Sequence, residues 1–591
     1  MLDVTYKREY NNQWSGKIAL RPKRRSDQER NKPKERISAS ESEIEMTIGE
    51  KIAVLRSLQK MSQENLAERL DVSRQSVSKW ESGKNAPDLA ILLKLADLFG
   101  ITTDELLRDE LPLAQTGIEP LFRPKESCNE RLKYFGTDGF RGEANEVLTA
   151  LHAFKIGRFL GWYYSSALCG RNEGHKTRVA VGKDTRLSSY MFEYALAAGL
   201  TSSGADAYML HVTTTPSVSY VVRQDSMDCG VMISASHNPY SDNGIKLVNG
   251  MGEKMDDYTL SLVEKYIDGD LSEFGVEDDL PLALRERIGK IIDWSAGRNR
   301  YVGFLISVAA NSYKDLDIAL DCANGASWAI AKSVFGALGA RVHVINDEPD
   351  GLNINNKAGS THISGLKKYV REHHCNAGYA FDGDADRCIA VDENGNELNG
   401  DHTVYVIAQM LRKQGLLKND TVVATVMSNL GYFKALDEAG IKCIQTTVGD
   451  RFVHDAMIEN DCSIGGEQTG HTIIRKYATT GDGILTAIML TECMVGSKRP
   501  LSELASPVKM FPQTVKNVTV KNKSAAANDP EVTSLLEKER AALGKNGRVI
   551  LRESGTEPVV RVMVEAQTQK GCDVIASRIV NKIEELGYSK K

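Results

Sequence analysis

Apolar positions in the first part of the chain follow neither a period of two nor one of 3.6, and from residue 48 the pattern changes abruptly. Ile52, Leu55 and Leu58 fall at helical spacing. Ser62 can cap a helix ending at Leu70, Ser73 a second ending at Trp80, and Asp88 a third over 89–99. Gly83 and Gly100 stand where helices end. Pro112, Pro120 and Pro124 then break a stretch with little periodicity, which predicts a linker over 109–130. From Leu132 onward, apolar β-branched runs alternate with helical patterns, as in α/β units. Strands are predicted at 177–181, 205–211 and 231–233 with a helix over 188–203. The shape recurs as strand 318–320, helix 328–338 and strand 341–345, and again as strand 422–427, helix 430–439 and strand 443–446. The expectation is an α/β chain with three domains of similar build at 131–297, 298–396 and 397–506. Residues 507–591, with strands at 514–520, 548–552 and 559–565 and helices from Pro530 and Gly571, form a smaller α+β domain.

Length and composition narrow this picture. At 591 residues the chain exceeds one core, since a domain takes roughly 100–200 residues. With 41% hydrophobic and 26% charged residues it has a globular composition, and no apolar run is long enough to span a membrane. Residues 1–45, rich in Lys, Arg, Asn, Ser and Glu, read as a disordered basic tail with no signal-peptide core. The net charge of −5 confines any nucleic-acid contact to a local patch. Ten scattered cysteines without a CxxC pair fit reduced thiols, so the expected location is the cytoplasm.

Four stretches carry candidate chemistry. In GVMISASHNPYSDNGIK (230–246) a short buried strand stops in a loop that presents Ser236 beside His237. A hydroxyl so placed can serve as an activated nucleophile or a phosphate carrier, although an ordinary polar turn has the same residues. In FDGDADR (381–387) Asp382, Asp384 and Asp386 crowd one loop and repel one another unless a hard divalent cation sits among them. An EF-hand does not fit. Arg387 stands where its sixth position needs glycine, and the flanks read as strands. In GGEQTGH (465–471) Glu467, Thr469 and His471 offer donors and acceptors suited to sugar hydroxyls or a phosphate. In RESGTEPVVR (552–561) Arg552 and Arg561 flank Ser554, Gly555 and Thr556, a cradle for a phosphate dianion or a plain hairpin turn. Together the four describe phosphoryl transfer on a phosphorylated polyol.

These motifs, with FGTDGFRGEAN (135–145), occur in the order and spacing of the phosphohexomutase superfamily, and within it the chain most resembles the bacterial phosphoglucosamine mutases. The resemblance implies four domains around a cleft and a phosphoserine at Ser236. It also implies one Mg²⁺ held by Ser236, Asp382, Asp384 and Asp386. His237, Lys246, Arg141 and Arg387 are implied at the catalytic centre, with Lys246 as general acid/base. Such a lysine needs a depressed pKa, which Arg387 could supply. Glu467, Thr469 and His471 would read the sugar, and Arg552, Ser554, Gly555, Thr556 and Arg561 would hold the phosphate that is not reacting. The expected substrates are hexosamine phosphate and its bisphosphate. Phosphomannomutase or phosphoglucomutase activity stays open, since Thr469 stands where these mutases commonly have serine. So does a regulator that only senses sugar phosphates.

LAERLDVSRQSVSKWESG (66–83) resembles the lambda-repressor-like helix-turn-helix family, giving a DNA-binding domain at 46–108. That resemblance implies that Arg74, Gln75 and Ser76 face base edges, with Gln63 and Lys79 nearer phosphates. Such modules read two half-sites of an operator, so a homodimer is expected.

Overall fold

The computed structural model describes residues 48–58, 61, 63–70, 72–81, 85–99, 106, 132–169, 175–553 and 558–590. The tail at 1–45, most of the linker, and Ser554, Gly555 and Thr556 lie outside the described residues. The chain divides into two compact units, Met1–Pro124 and Lys125–Lys591.

The first unit contains α1 (Ile48–Leu58), α2 (Gln63–Leu70), α3 (Arg74–Glu81) and α4 (Leu89–Phe99). Ser73 Oγ accepts from the Ser76 amide at 3.2 Å and Asp88 Oδ1 from the Ile91 amide at 2.9 Å, so two of the expected caps form. Ile52, Leu66, Val77 and Leu95 are fully buried and Trp80 nearly so, closing one small core between the helices.

Among its described residues the second unit holds four sheets. The first has β1 (Phe135–Gly136), β2 (Gly139–Glu143), β3 (Arg178–Lys183), β4 (Asp206–Val212), β5 (Cys229–Ile233), β6 (Asp242–Asn249) and β7 (Ile291–Asp293), ordered β1-β2-β6-β5-β3-β4-β7. Every residue of β5 is buried, and parallel β3 lies beside it. β6 pairs antiparallel with β5, setting Lys246 opposite Met232. The second sheet has β8 (Asp317–Asp321), β9 (Arg341–Ile345), β10 (Ala377–Phe381), β11 (Cys388–Asp392) and β12 (Glu397–Leu398), ordered β12-β11-β10-β8-β9. β10 and β11 form an antiparallel hairpin closed by Phe381 opposite Cys388, so the acidic loop is its tip. The third has β13 (Thr421–Thr425), β14 (Lys442–Thr446), β15 (Ile464–Gly466) and β16 (Thr472–Ile474), ordered β14-β13-β15-β16.

The second and third sheets share one apolar cluster running from Tyr301 to Val508. Much of it comes from the helix Gly483–Ser497, whose apolar run is buried over its first three turns and capped by Asp482. The fourth sheet, β17 (Gln513–Thr519), β18 (Arg548–Glu553) and β19 (Val559–Glu565), is antiparallel and covered by the helices Pro530–Leu543 and Gln569–Glu585. Glu565, fully buried on β19, accepts from the Leu430 amide at 3.0 Å and from Arg548 at 2.7 Å, tying this sheet to the third.

Three of the four candidate loops leave the C-terminal ends of β5, β10 and β15, each of which has a parallel neighbour. Ligands of open α/β sheets collect at such ends. Among the described residues no helix is long and apolar enough to cross a membrane.

Candidate active site

Ser236 lies in the first of these loops, three residues past the end of β5, and its Oγ donates to Asp382 Oδ2 at 2.5 Å, so residues far apart in the chain meet. Both are buried. Ligand oxygens of Asp382, Asp384 and Asp386 lie within 4.8 Å of one another. Lys246, projecting from β6, donates to Asp384 Oδ2 at 2.6 Å and to Asp386 Oδ2 at 2.9 Å. Thr215 also donates to Asp384 Oδ2. The Arg387 amide donates to Asp382 Oδ1 at 3.2 Å, and Arg387 Nη1 donates to His237 Nδ1 at 3.3 Å. His237 Nδ1 lies 3.4 Å from Ser236 Oγ.

The electrostatics reflect three acids packed out of water. Burial, then Asp386 and Asp384, push the Asp382 carboxyl well above the usual range. Burial opposes ionisation of Asp386 too, but Lys246, His471 and Arg387 outweigh it and hold that group low. Asp384 Oδ1 and Asp386 Oδ1 are buried and make no hydrogen bond. Oxygen donors, crowded carboxylates and orphaned lone pairs fit a hard divalent cation. Burial, then Arg387 and Arg141, push His237 down to about 4, so its imidazole is neutral at pH 7 and accepts from Arg387.

Two expectations need correction. Lys246 does not have a depressed pKa. Burial disfavours its ammonium, but Asp384 and Asp386 overcome that and raise it, whereas the expected influence of Arg387 is not among its main causes. His471, expected to read the sugar, is buried. It is 3% exposed, lies 3.2 Å from Asp450 Oδ2, and packs so closely under Gly481 that a Cβ there would come within 2.5 Å of its Nε2.

The remaining predicted residues are placed as follows. Arg141, on β2, has buried Nε and Nη2 atoms without a hydrogen bond, and Nη2 lies 3.5 Å from Asp138 Oδ2. Glu467 is half-buried and accepts from the Gly449 amide at 3.0 Å, while Thr469 is exposed with its hydroxyl 3.5 Å from Glu467 Oε2. The Cys388 amide donates to Gly470 O at 3.0 Å, which lays this loop against the acidic hairpin. Arg552 and Arg561 stand directly opposite on β18 and β19, and burial, then Arg561, lower the Arg552 pKa, with Glu467 acting in the other direction. Paired like charges on one strand pair are unfavourable unless an anion joins them.

A salt-bridged strap joins the first and third sheets beside this site. Lys254 donates to Thr137 O at 2.8 Å, to Asp138 Oδ1 at 3.0 Å and to Asp450 Oδ1 at 2.5 Å. Nothing in the spacing of these residues announces it.

In the helical unit Arg74 and Gln75 are exposed at the start of α3. Ser76 Oγ instead sits 2.9 Å from Ser73 Oγ at the cap, and Lys79 is exposed. The Gln63 amide donates to Glu81 Oε2 at 2.7 Å, and Arg56 donates to both oxygens of Glu81. Gln63, expected near phosphates, thus bridges α2 to the end of α3.

The chain matches the four domains of the phosphoglucomutase/phosphomannomutase family: alpha/beta/alpha domain I over 132–273, domain II over 299–395, domain III over 399–511 and the C-terminal domain over 516–582. Residues 52–106 match a helix-turn-helix family. A phosphoglucosamine mutase of Lachnospira eligens is 54% identical over 77% of this chain and 99% of its own, and one of Bacillus subtilis is 45% identical over 76% and 98%. Among solved structures, a phosphoglucomutase/phosphomannomutase family protein of Burkholderia thailandensis superposes with TM-score 0.62 at 20% identity, over 78% of this chain and 99% of that one. An Aspergillus fumigatus N-acetylphosphoglucosamine mutase, solved with GlcNAc-6P and magnesium, gives 0.56 at 18% over 77% and 96%.

Proposed function

The chain belongs to the phosphoglucomutase/phosphomannomutase family of phosphotransferring mutases, and from that premise we propose that it interconverts glucosamine 6-phosphate and glucosamine 1-phosphate. The 2.5 Å contact between Ser236 Oγ and the acidic loop carries the phosphoryl transfer, and the 54% and 45% identity to phosphoglucosamine mutases supports the choice of sugar. In the forward direction Ser236 starts as a phosphoserine. Its Oγ–P bond breaks while a P–O bond to the free sugar hydroxyl forms, and the proton of that hydroxyl passes to a neighbouring base. The resulting 1,6-bisphosphate turns end for end and returns its other phosphoryl group to Ser236.

Residues in hand support each part. Asp382, Asp384 and Asp386 with the phosphoserine would hold Mg²⁺, which supplies neutralisation of the charge on the transferring group. Arg387 and Arg141 place guanidinium charge beside it. Lys246, held protonated, is ready to give a proton from Nζ, and acting as a base requires that the pull of Asp384 and Asp386 be relieved first. Neutral His237 orients Arg387. Glu467 and Thr469 would read the sugar hydroxyls, and the opposed Arg552 and Arg561 suit the distal phosphate.

Turnover of glucosamine, mannose and glucose phosphates by the purified protein tests the substrate, and faster conversion of mannose or glucose phosphate overturns it. Ser236→Ala should abolish turnover and remove a phosphopeptide found by mass spectrometry. Retained activity refutes the phosphoserine.

For the helical unit we propose sequence-selective operator binding by a dimer, supported by the helix-turn-helix match and by exposed Arg74 and Gln75. Gel shifts with the upstream region of its own gene should show a salt-sensitive complex lost in Arg74→Ala. The absence of any shift, there and with random operators, ends that proposal.

A further inference from the structure

Ser236 has φ of +52°, in the left-handed region that a residue with a Cβ seldom adopts. A nucleophile in such a conformation persists only where its surroundings over-determine it. Two buried donors from different domains do so here, and neither lies in the four motifs.

The first is Arg186, in the loop after β3 and wholly enclosed. Its Nη2 donates to Ser236 O at 2.8 Å and Asn238 O at 2.9 Å, and its Nη1 to Pro239 O and to Asp242 O at 3.0 Å. Asp184 pairs with it at 2.7 Å and also accepts from Ser234 Oγ, which in turn accepts from the Ser236 amide at 2.9 Å. The second is Asn355, 7% exposed, between β9 and the helix Ser364–Glu372. Its Nδ2 donates to Ser236 O at 2.8 Å and to Asn238 O at 3.1 Å. Its own amide is fixed to Ala323 O at 2.9 Å. Gly383 closes this contact, since a Cβ there would lie 2.5 Å from Ser236 O and 3.1 Å from Asn355 Nδ2.

We infer that Asn355 is a positioning residue for phosphoryl transfer: the domain that brings Asp382 to Ser236 Oγ also grips the Ser236 carbonyl through Asn355, fixing the serine at both ends. The inference rests on the phosphoserine reading above. Asn355 touches no reacting atom. Its amide acts by holding the left-handed backbone that aims Oγ at the acidic loop, and a misplacement of about 1 Å at such a point can cost on the order of a hundredfold in rate.

The test uses the full chain. Asn355→Asp keeps the shape but loses the donor, and Asn355→Gly tolerates the φ of +58° without a side chain. Both should lower kcat about 10- to 100-fold while KM for the sugar phosphate stays within about twofold. The single-turnover rate of Ser236 phosphorylation by glucose 1,6-bisphosphate should fall by the same factor. An unchanged kcat, a parallel change in KM, or loss of the wild-type melting temperature in both variants overturns the inference. Wild type lacking both turnover and phosphoserine would sink the mutase reading itself, whereas an active wild type with equally active variants sinks only the role of Asn355.

Discussion

Replacing Lys254 by Met keeps an unbranched side chain but removes the cation shared by Asp138 and Asp450. Asp138 is held well below the usual carboxylate range, burial opposing and Lys254, then Arg141, prevailing. Breaking a buried ion pair from one side costs about 3–5 kcal/mol, because the other charge is stranded. Lys254 and Asp138 are 27% and 32% exposed, so water recovers part of that and about 2–3 kcal/mol is expected. This corresponds to about 30- to 150-fold in the equilibrium that keeps the first and third sheets together. The strap lies against Gly449, whose amide fixes Glu467, so the loss should appear in kcat/KM. The sign with pH follows from the direction of the shift. With its pKa depressed in the fold, Asp138 contributes stability above the unfolded carboxylate value near about 4 and loses it as pH falls through the folded value. Without Lys254 that carboxyl titrates higher, so the deficit of Lys254→Met is largest at neutral pH and shrinks as pH falls. Denaturant unfolding followed from pH 7 down through the carboxylate range near about 4 would show this, and Asp138→Asn should be harmful in wild type but neutral or helpful in Lys254→Met. Equal harm from Asp138→Asn in both backgrounds, or a pH-independent deficit, refutes the reasoning.

Three further outcomes are expected. In Gly383→Ala the new Cβ would lie 2.5 Å from Ser236 O where real contacts stop near 3.0 Å, so something must move by at least the difference, 0.5 Å; kcat should fall about tenfold or more with little change in KM. Added Mg²⁺ should raise the melting temperature of wild type, by about 2.7 kcal/mol of stabilisation at a hundredfold excess over Kd; Asp384→Asn should blunt the response, and an equal response in both excludes the acidic loop as the site. Glu81→Ala strands Arg56 and Gln63, which should destabilise the helical unit by about 2 kcal/mol, read as about 30-fold faster amide exchange across α3; unchanged exchange would mean that the bridge carries nothing.

Where side chains alone decide an element, the sequence was sufficient. The predicted strands at 341–345 and 559–565 coincide with β9 and β19, and α4 spans the predicted 89–99. DNGIK is polar and does not read as the strand β6, which lies between β2 and β5 with Asn243 buried against Ser188 and Ser189 and Lys246 against the acidic loop. The meeting of Ser236 with Asp382 is what the resemblance to the phosphohexomutases implies, since both residues stand in motifs that carry it. Arg186 and Asn355 were not anticipated, since both act on backbone carbonyls, and a carbonyl leaves no trace in residue type. For Lys246 and His471 neither residue type nor resemblance supplies the neighbours that folding brings: two carboxylates for one, Asp450 and Gly481 for the other.

The positive φ at Ser236 also narrows which hydroxyl amino acid can occupy the position. Threonine is equally able to carry a phosphate, yet its branched Cβ fits a left-handed backbone worse than that of serine. An exchange that looks chemically silent would therefore be opposed by conformation, and the identity of the carrier is set as much by chain geometry as by the oxygen it bears.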